Sequence, residues 1–120
     1  MILSPLPKTW LLDVDGTILK HNGYKTGGDE VLSGVKKFFA NLSAEDKIIF
    51  LTARPKEEKK SLERLLKQNK IRFDKIIYDI TVGERILVND RKPSGLKTAF
   101  AVNKKRDAKF SVRYKTDGGL

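Results

Sequence analysis

Four apolar runs of strand length punctuate the chain: Trp10 to Val14, Ile48 to Leu51, Ile76 to Ile80 and Ile86 to Val88. Most of their residues are β-branched, aromatic or leucine. Such near-continuous hydrophobicity predicts strands covered on both faces, as in a parallel sheet between two helical layers. Between the runs the period changes. Val31, Leu32, Val35, Phe38, Phe39 and Leu42 recur at spacings of one, three and four, which predicts an amphipathic helix. A second helix is expected from Pro55, since proline suits the first helical position and Glu57 and Glu58 complement the dipole of the first turn. Leu62, Leu65 and Leu66 form its apolar stripe, and Lys67 and Lys70 place positive charge near its end. A shorter helix is expected over Gly95 to Val102, and a short strand over Phe110 to Tyr114. The β-α-β-α-β alternation implies an α/β fold, Rossmann-like and three-layered, with right-handed crossovers. The glycine-rich segment Lys20–Asp29 reads as a loop or small hairpin at the end of the first strand. No repeat or linker divides the chain, so residues 1–120 are expected to form one domain, with a basic tail over about 104–120.

Composition narrows the chemistry. There is no cysteine, which excludes disulfides and thiolate metal sites and is compatible with a reducing, cytoplasmic location. No apolar run approaches the roughly 20 residues of a membrane span, and the first residues lack the basic lead-in and apolar region of a signal peptide. The net charge of +10 implies either attraction to an anionic partner or simply a solvated, lysine-rich surface.

Three strand ends carry candidate chemistry. Asp13 and Asp15 leave the first strand two residues apart and point the same way. In a parallel α/β sheet that edge is where ligands bind. Two adjacent carboxylates repel, and a hard divalent cation such as Mg²⁺ relieves the repulsion. Gly16 lets the chain turn sharply behind them. The plainer reading is an aspartate-rich turn. At the second strand end Thr52 offers a hydroxyl to a phosphate oxygen, with Ala53 and the helix start adding backbone N–H groups, or it merely caps that helix. At the end of the Ile86–Val88 run, Asn89 and Asp90 deliver a third carboxylate, or again a turn.

Taken in order, Asp13-x-Asp15-Gly16-Thr17, a strand ending in Thr52 and a strand ending in Asn89-Asp90 resemble the motif set of the haloacid-dehalogenase superfamily, from about Trp10 to Val102. The resemblance implies an Mg²⁺-dependent phosphatase. Asp13 would be the nucleophile, forming an aspartyl-phosphate, and Asp15 the general acid and then base. Thr52 and Ala53 would bind the phosphoryl group, and Asp13, Asp15 and Asp90 would hold the metal. The family's phosphate-neutralising cation has three candidates here. Lys92 is preferred, two residues beyond Asp90; Arg85 comes next, and Lys75 lies at the wrong end of its strand. For any one of them a solvated surface cation is the simpler reading. The acidic residue that many relatives carry near Asp90 is missing, which leaves Asn89 or water to complete a metal shell.

The intervals from Asp13 to Thr52 and from Thr52 to Asp90 leave no room for a cap domain. The resemblance is therefore to capless members, whose open site the Lys20–Asp29 loop or a second copy of the chain would cover. The stretch Arg85–Pro93, with Thr98, Ala99, Asn103, Thr52–Arg54 and Phe73-Asp74, is further similar to small phosphatases of capsule and lipopolysaccharide biosynthesis. That implies a small phosphorylated sugar or polyol as substrate. The alternatives are a polynucleotide 3′-phosphatase, or a non-catalytic module that binds phosphate or nucleic acid. Only Phe110 and Tyr114 interleave the basic tail as stacking platforms, and the presence of Asp13, Asp15, Thr52 and Asp90 together argues against a degraded site. His21 and Trp10 read as a loop residue and a sheet residue.

Overall fold

The computed structural model describes all 120 residues. A central parallel sheet has the order β2-β3-β4, formed by Thr9–Asp13, Lys47–Leu51 and Lys75–Ile77. Leu12 pairs with Phe50 and Asp13 with Leu51, so the tips of β2 and β3 are level. Leu51 in turn pairs with Ile77. Beyond the tip of β3, backbone bonds continue from Thr52 N–H to the Ile77 carbonyl and from Ile80 N–H to the Thr52 carbonyl. A separate two-stranded parallel ribbon joins β1, Ile2–Leu3, to β5, Lys115–Thr116.

Two helices connect the central strands: α1, Val35–Ala40, and α2, Lys59–Gln68, which follows a 3₁₀ turn at Lys56–Glu58. Because the strand order advances one place at each step, right-handed crossovers put both helices on the same face. The core shows this. Leu12, Val14, Ile48 and Phe50 from alternate sheet positions pack in one cluster with Val35 and Phe39 of α1 and Leu62 and Leu66 of α2. The Phe39 and Phe50 rings lie 5.9 Å apart. The opposite face carries Leu11, 44% exposed, and Ile77, 37% exposed. The architecture is thus α/β with parallel strands, but two-layered over its central sheet rather than three-layered.

Three predicted elements are absent for connected reasons. Ile86–Val88 forms no strand and lies in water, with Ile86 85% and Val88 89% exposed. Gly95–Val102 forms no helix. The face of the central sheet away from the two helices stays open. Residues 89–98 fold on themselves: Asn89 Nδ2 donates to the Thr98 carbonyl and Thr98 Oγ1 donates to the Asp90 carbonyl. The radius of gyration is 15.1 Å, against roughly 14 Å for a compact chain of this length. Phe110–Tyr114 is not a strand either; β5 lies just beyond it.

The first helix is shorter than its apolar period suggested. Val31 bridges antiparallel to Leu19, and Leu32 N–H donates to the Ile18 carbonyl, so the first apolar positions serve a hairpin-like closure. Helix α1 begins only after Gly34, whose φ of 88° favours glycine and whose Cβ, if present, would lie 2.3 Å from the Phe110 carbonyl oxygen. That contact also shows where the basic tail goes. Phe110 is buried in the core, stacked edge-on against Phe38, so residues 104–112 pack on the body rather than forming a loose tail.

Tyr78 introduces one testable weakness. Its hydroxyl is buried without a hydrogen-bond partner. Burial, helped by the charge of Glu63, raises its pKa above the ordinary phenol value, and Arg54 opposes this. With a folded-state pKa raised by burial, the fold is unaffected by phenol ionisation below about pH 10 and is weakened as pH climbs through the folded value. The Tyr78→Phe variant should be neutral or up to about 1 kcal/mol more stable at pH 7. In alkaline denaturation it should lose stability less steeply than wild type; identical slopes would show that the phenol finds water.

Candidate active site

The carboxyl edge of β2 and β3 gathers the first motif and the Thr52–Arg54 turn. Asp13 ends β2. The chain then turns at Gly16, where φ is 84° and Gly16 N–H donates to the Leu19 carbonyl. The turn directs Thr17 back to the strand tip, so its hydroxyl donates to Asp13 Oδ2 at 3.0 Å. Asp13 Oδ1 accepts from Arg85 Nη1 at 2.8 Å. Both side chains of this pair remain about one-third exposed. Asp13 therefore faces solvent with each oxygen holding one donor and lone pairs to spare.

Asp15 takes a different environment. Both its oxygens accept from Arg54, Oδ2 from Nε at 3.0 Å and Oδ1 from Nη2 at 2.8 Å. The same guanidinium donates to Asp29, from Nη1 at 3.0 Å and from Nη2 at 2.6 Å. The Arg54 side chain is fully buried and the two carboxylates nearly so. The Tyr24 ring covers the guanidinium face at 4.2 Å. Burial alone would lower the pKa of Arg54, but hydrogen bonds to and charges of Asp15 and Asp29 outweigh it and hold the pKa above its ordinary value. With both carboxylates ionised the cluster carries one net negative charge, and a proton taken up by Asp15 makes it neutral; Asp29 and Tyr24 in it come from the Lys20–Asp29 loop.

That loop is closed by an N–H bond from Lys20 to the Glu30 carbonyl and by the Leu19–Val31 bridge, with a 3₁₀ turn at Gly23–Lys25 between. The basic segment braces its other side. Asp107 Oδ1 accepts from His21 N–H, Asp107 N–H donates to the Gly16 carbonyl, and Lys104 Nζ donates to the same carbonyl at 3.3 Å. Burial pushes the Lys104 pKa down, against the charge of Asp107.

The remaining expected residues divide. Thr52 is buried, and its hydroxyl oxygen accepts from Arg54 N–H at 3.1 Å. It does not cap the following helical turn, which has no side-chain cap. Ala53 beside it is exposed on the open edge. Of the three cations, Arg85 and not the preferred Lys92 reaches Asp13. Arg85 is free to do so because no strand forms after it. Lys92 lies in an exposed turn closed by its own N–H to the Leu96 carbonyl, and Lys75 opens β4 at the far end. Asp90 is exposed, and Asn89 is bonded to Thr98.

The expected metal shell of Asp13, Asp15 and Asp90 is not assembled: no three acidic or histidine side chains converge. Asp13 and Asp15 suit a hard cation in donor chemistry, yet each already has an arginine as counter-charge, and the third acid is held elsewhere. The motif set implies no role for Arg54 or Asp29. The only sequence signal for them was an arginine directly after the Thr52 turn and an aspartate closing a glycine-rich loop. No helix is long and apolar enough to cross a membrane. Comparisons with protein-family models, curated proteins and solved structures found no match to the chain.

Proposed function

We propose that the chain is a phosphomonoester hydrolase of the haloacid-dehalogenase type, with a capless core and Asp13 as covalent nucleophile. The observation that carries this reading is the solvent-facing Asp13 carboxylate at the open strand edge, held by Thr17 and Arg85 two residues before the mostly covered Asp15. An Asp13 oxygen attacks phosphorus, and the bond from phosphorus to the ester oxygen breaks. The leaving oxygen takes a proton from Asp15. Water then attacks the aspartyl-phosphate with Asp15 as base, which frees inorganic phosphate and restores both acids. Arg85 neutralises the charge gathered between nucleophile and phosphoryl group, and Ala53, an exposed residue on the same edge, has a backbone N–H to offer a phosphoryl oxygen.

Mg²⁺ is the proposed cofactor on the chemistry of the two adjacent carboxylates; Asp13 and Asp15 would hold it, and it would supply charge screening between nucleophile and phosphoryl group. Asp13 keeps lone pairs for a cation beside Thr17 and Arg85, and a third carboxylate would come only from a movement of the exposed segment that carries Asp90. Turnover is expected to stop in excess chelator and return on adding Mg²⁺. Unchanged turnover in chelator would assign charge neutralisation to Arg85 alone.

The proposed substrate class is a small phosphorylated sugar or polyol. A nucleic-acid substrate has less support, because Phe110, one of the two aromatic residues in the basic segment, is committed to the core and Tyr114 lies against Trp10. The test is a panel of sugar, polyol and nucleotide phosphates alongside a 3′-phosphorylated oligonucleotide, read by phosphate release. Release from the small esters is expected. Release from the oligonucleotide alone would replace the substrate class, and none from any ester would end the phosphatase reading.

A further inference from the structure

The Arg54 guanidinium is the most completely specified polar group in the molecule. Four hydrogen bonds of 3.0 Å or less fix its edge on Asp15 and Asp29, an aromatic ring covers its face, and none of its side chain is exposed. A buried cation with two carboxylates is a costly device to keep for stability alone, since well-packed apolar residues often serve as well. Its geometry has a consequence at the strand edge. A bidentate fork removes the rotational freedom of a carboxylate. Each Asp15 oxygen accepts only one hydrogen bond from it, so lone pairs remain for a proton. The second fork comes from Asp29, and the ring from Tyr24, both on the loop that follows the first motif.

We infer that Asp29 and Tyr24 are positioning residues that act through Arg54 on Asp15, so that the Lys20–Asp29 loop is latched to the strand edge and aligns the proton-transferring acid. This rests on the phosphatase reading for its catalytic half, while the latch itself does not. Groups that orient a metal ligand from behind contribute about 10–100-fold, and the same scale is expected for a carboxylate oriented in this way. Alignment of a proton donor matters most when the leaving group is basic.

The experiment compares wild type with Asp29→Asn, which keeps the Arg54–Asp15 fork and an uncharged acceptor at position 29. For a polyol phosphate, kcat should fall about 10–100-fold, with KM changed by less than about threefold. For p-nitrophenyl phosphate, whose leaving group needs no proton, the fall should be several-fold smaller. Tyr24→Leu should show the same ester dependence. Equal losses on both esters, or a loss confined to KM, would overturn the positioning role. The latch is read separately by limited trypsin cleavage after Lys20 and Lys25, both exposed. Asp29→Asn should speed cleavage, and an unchanged rate overturns the latch. A wild-type chain inactive on both esters would overturn the phosphatase reading and the positioning role together, and the cleavage assay would still decide the latch.

Discussion

Asp13→Asn is expected to lower turnover by about 10⁴-fold or more, the scale of losing a residue on which the covalent step depends. The amide is nearly isosteric and keeps one oxygen for hydrogen bonding, but it is a poor nucleophile toward phosphorus. Folding should be almost untouched. The Asp13–Arg85 pair is about one-third exposed on both sides, and ion pairs in that setting contribute about 0–1 kcal/mol before screening by salt is counted. The melting temperature should therefore stay within a few degrees of wild type. The measurement pairs steady-state phosphate release with trapping of the acid-stable protein after brief exposure to labelled ester; label should attach to wild type and not to the variant. A variant retaining a tenth of wild-type turnover would sink the assignment of the nucleophile.

Arg54→Ala should give the largest loss of stability among single substitutions at the strand edge. Removing the guanidinium leaves Asp15 and Asp29 close together, nearly buried and without a counter-charge. Breaking a buried pair from one side typically costs about 3–5 kcal/mol, because the partner charge keeps its desolvation penalty and loses its compensation. For a domain of this size that corresponds to roughly 10–20 °C in melting temperature. Arg54→Lys restores the charge without the planar double fork and should recover only part of the loss. Denaturant titrations of the three proteins would check the order. A loss under about 1 kcal/mol for Arg54→Ala would mean that water enters and satisfies both carboxylates.

The two arginines bear directly on the Mg²⁺ expectation. Two adjacent carboxylates at a strand end do require positive charge, and that much follows from Coulomb repulsion. The repulsion does not say which cation answers it. In the structure Arg85 answers for Asp13 and Arg54 for Asp15. The magnesium requirement tests whether this arrangement persists during turnover.

What the sequence determined by itself was the local and periodic part. Trp10–Asp13, Ile48–Leu51 and Ile76-Ile77 lie in parallel strands or at their cores, because short β-branched and aromatic runs between amphipathic segments leave few other packings. The stripe of Leu62, Leu65 and Leu66 marks a helix with Leu62 and Leu66 buried, and the first motif comes out at a strand tip with its glycine in a left-handed turn. Pairing at a distance came from the folded chain alone. The Ile86–Val88 run has the composition of a strand, yet strand formation needs a partner edge, and the closure of residues 89–98 on themselves leaves the run unpaired. Val31 and Leu32 fit a helical period but bridge the first motif instead. Asp29 and Arg54 meet across 25 residues of sequence through a loop whose path no local pattern encodes. Periodicity reports which face of an element is apolar. Which charged side chains share that edge depends on how the loops bring them together, and here a single buried guanidinium fixes the answer.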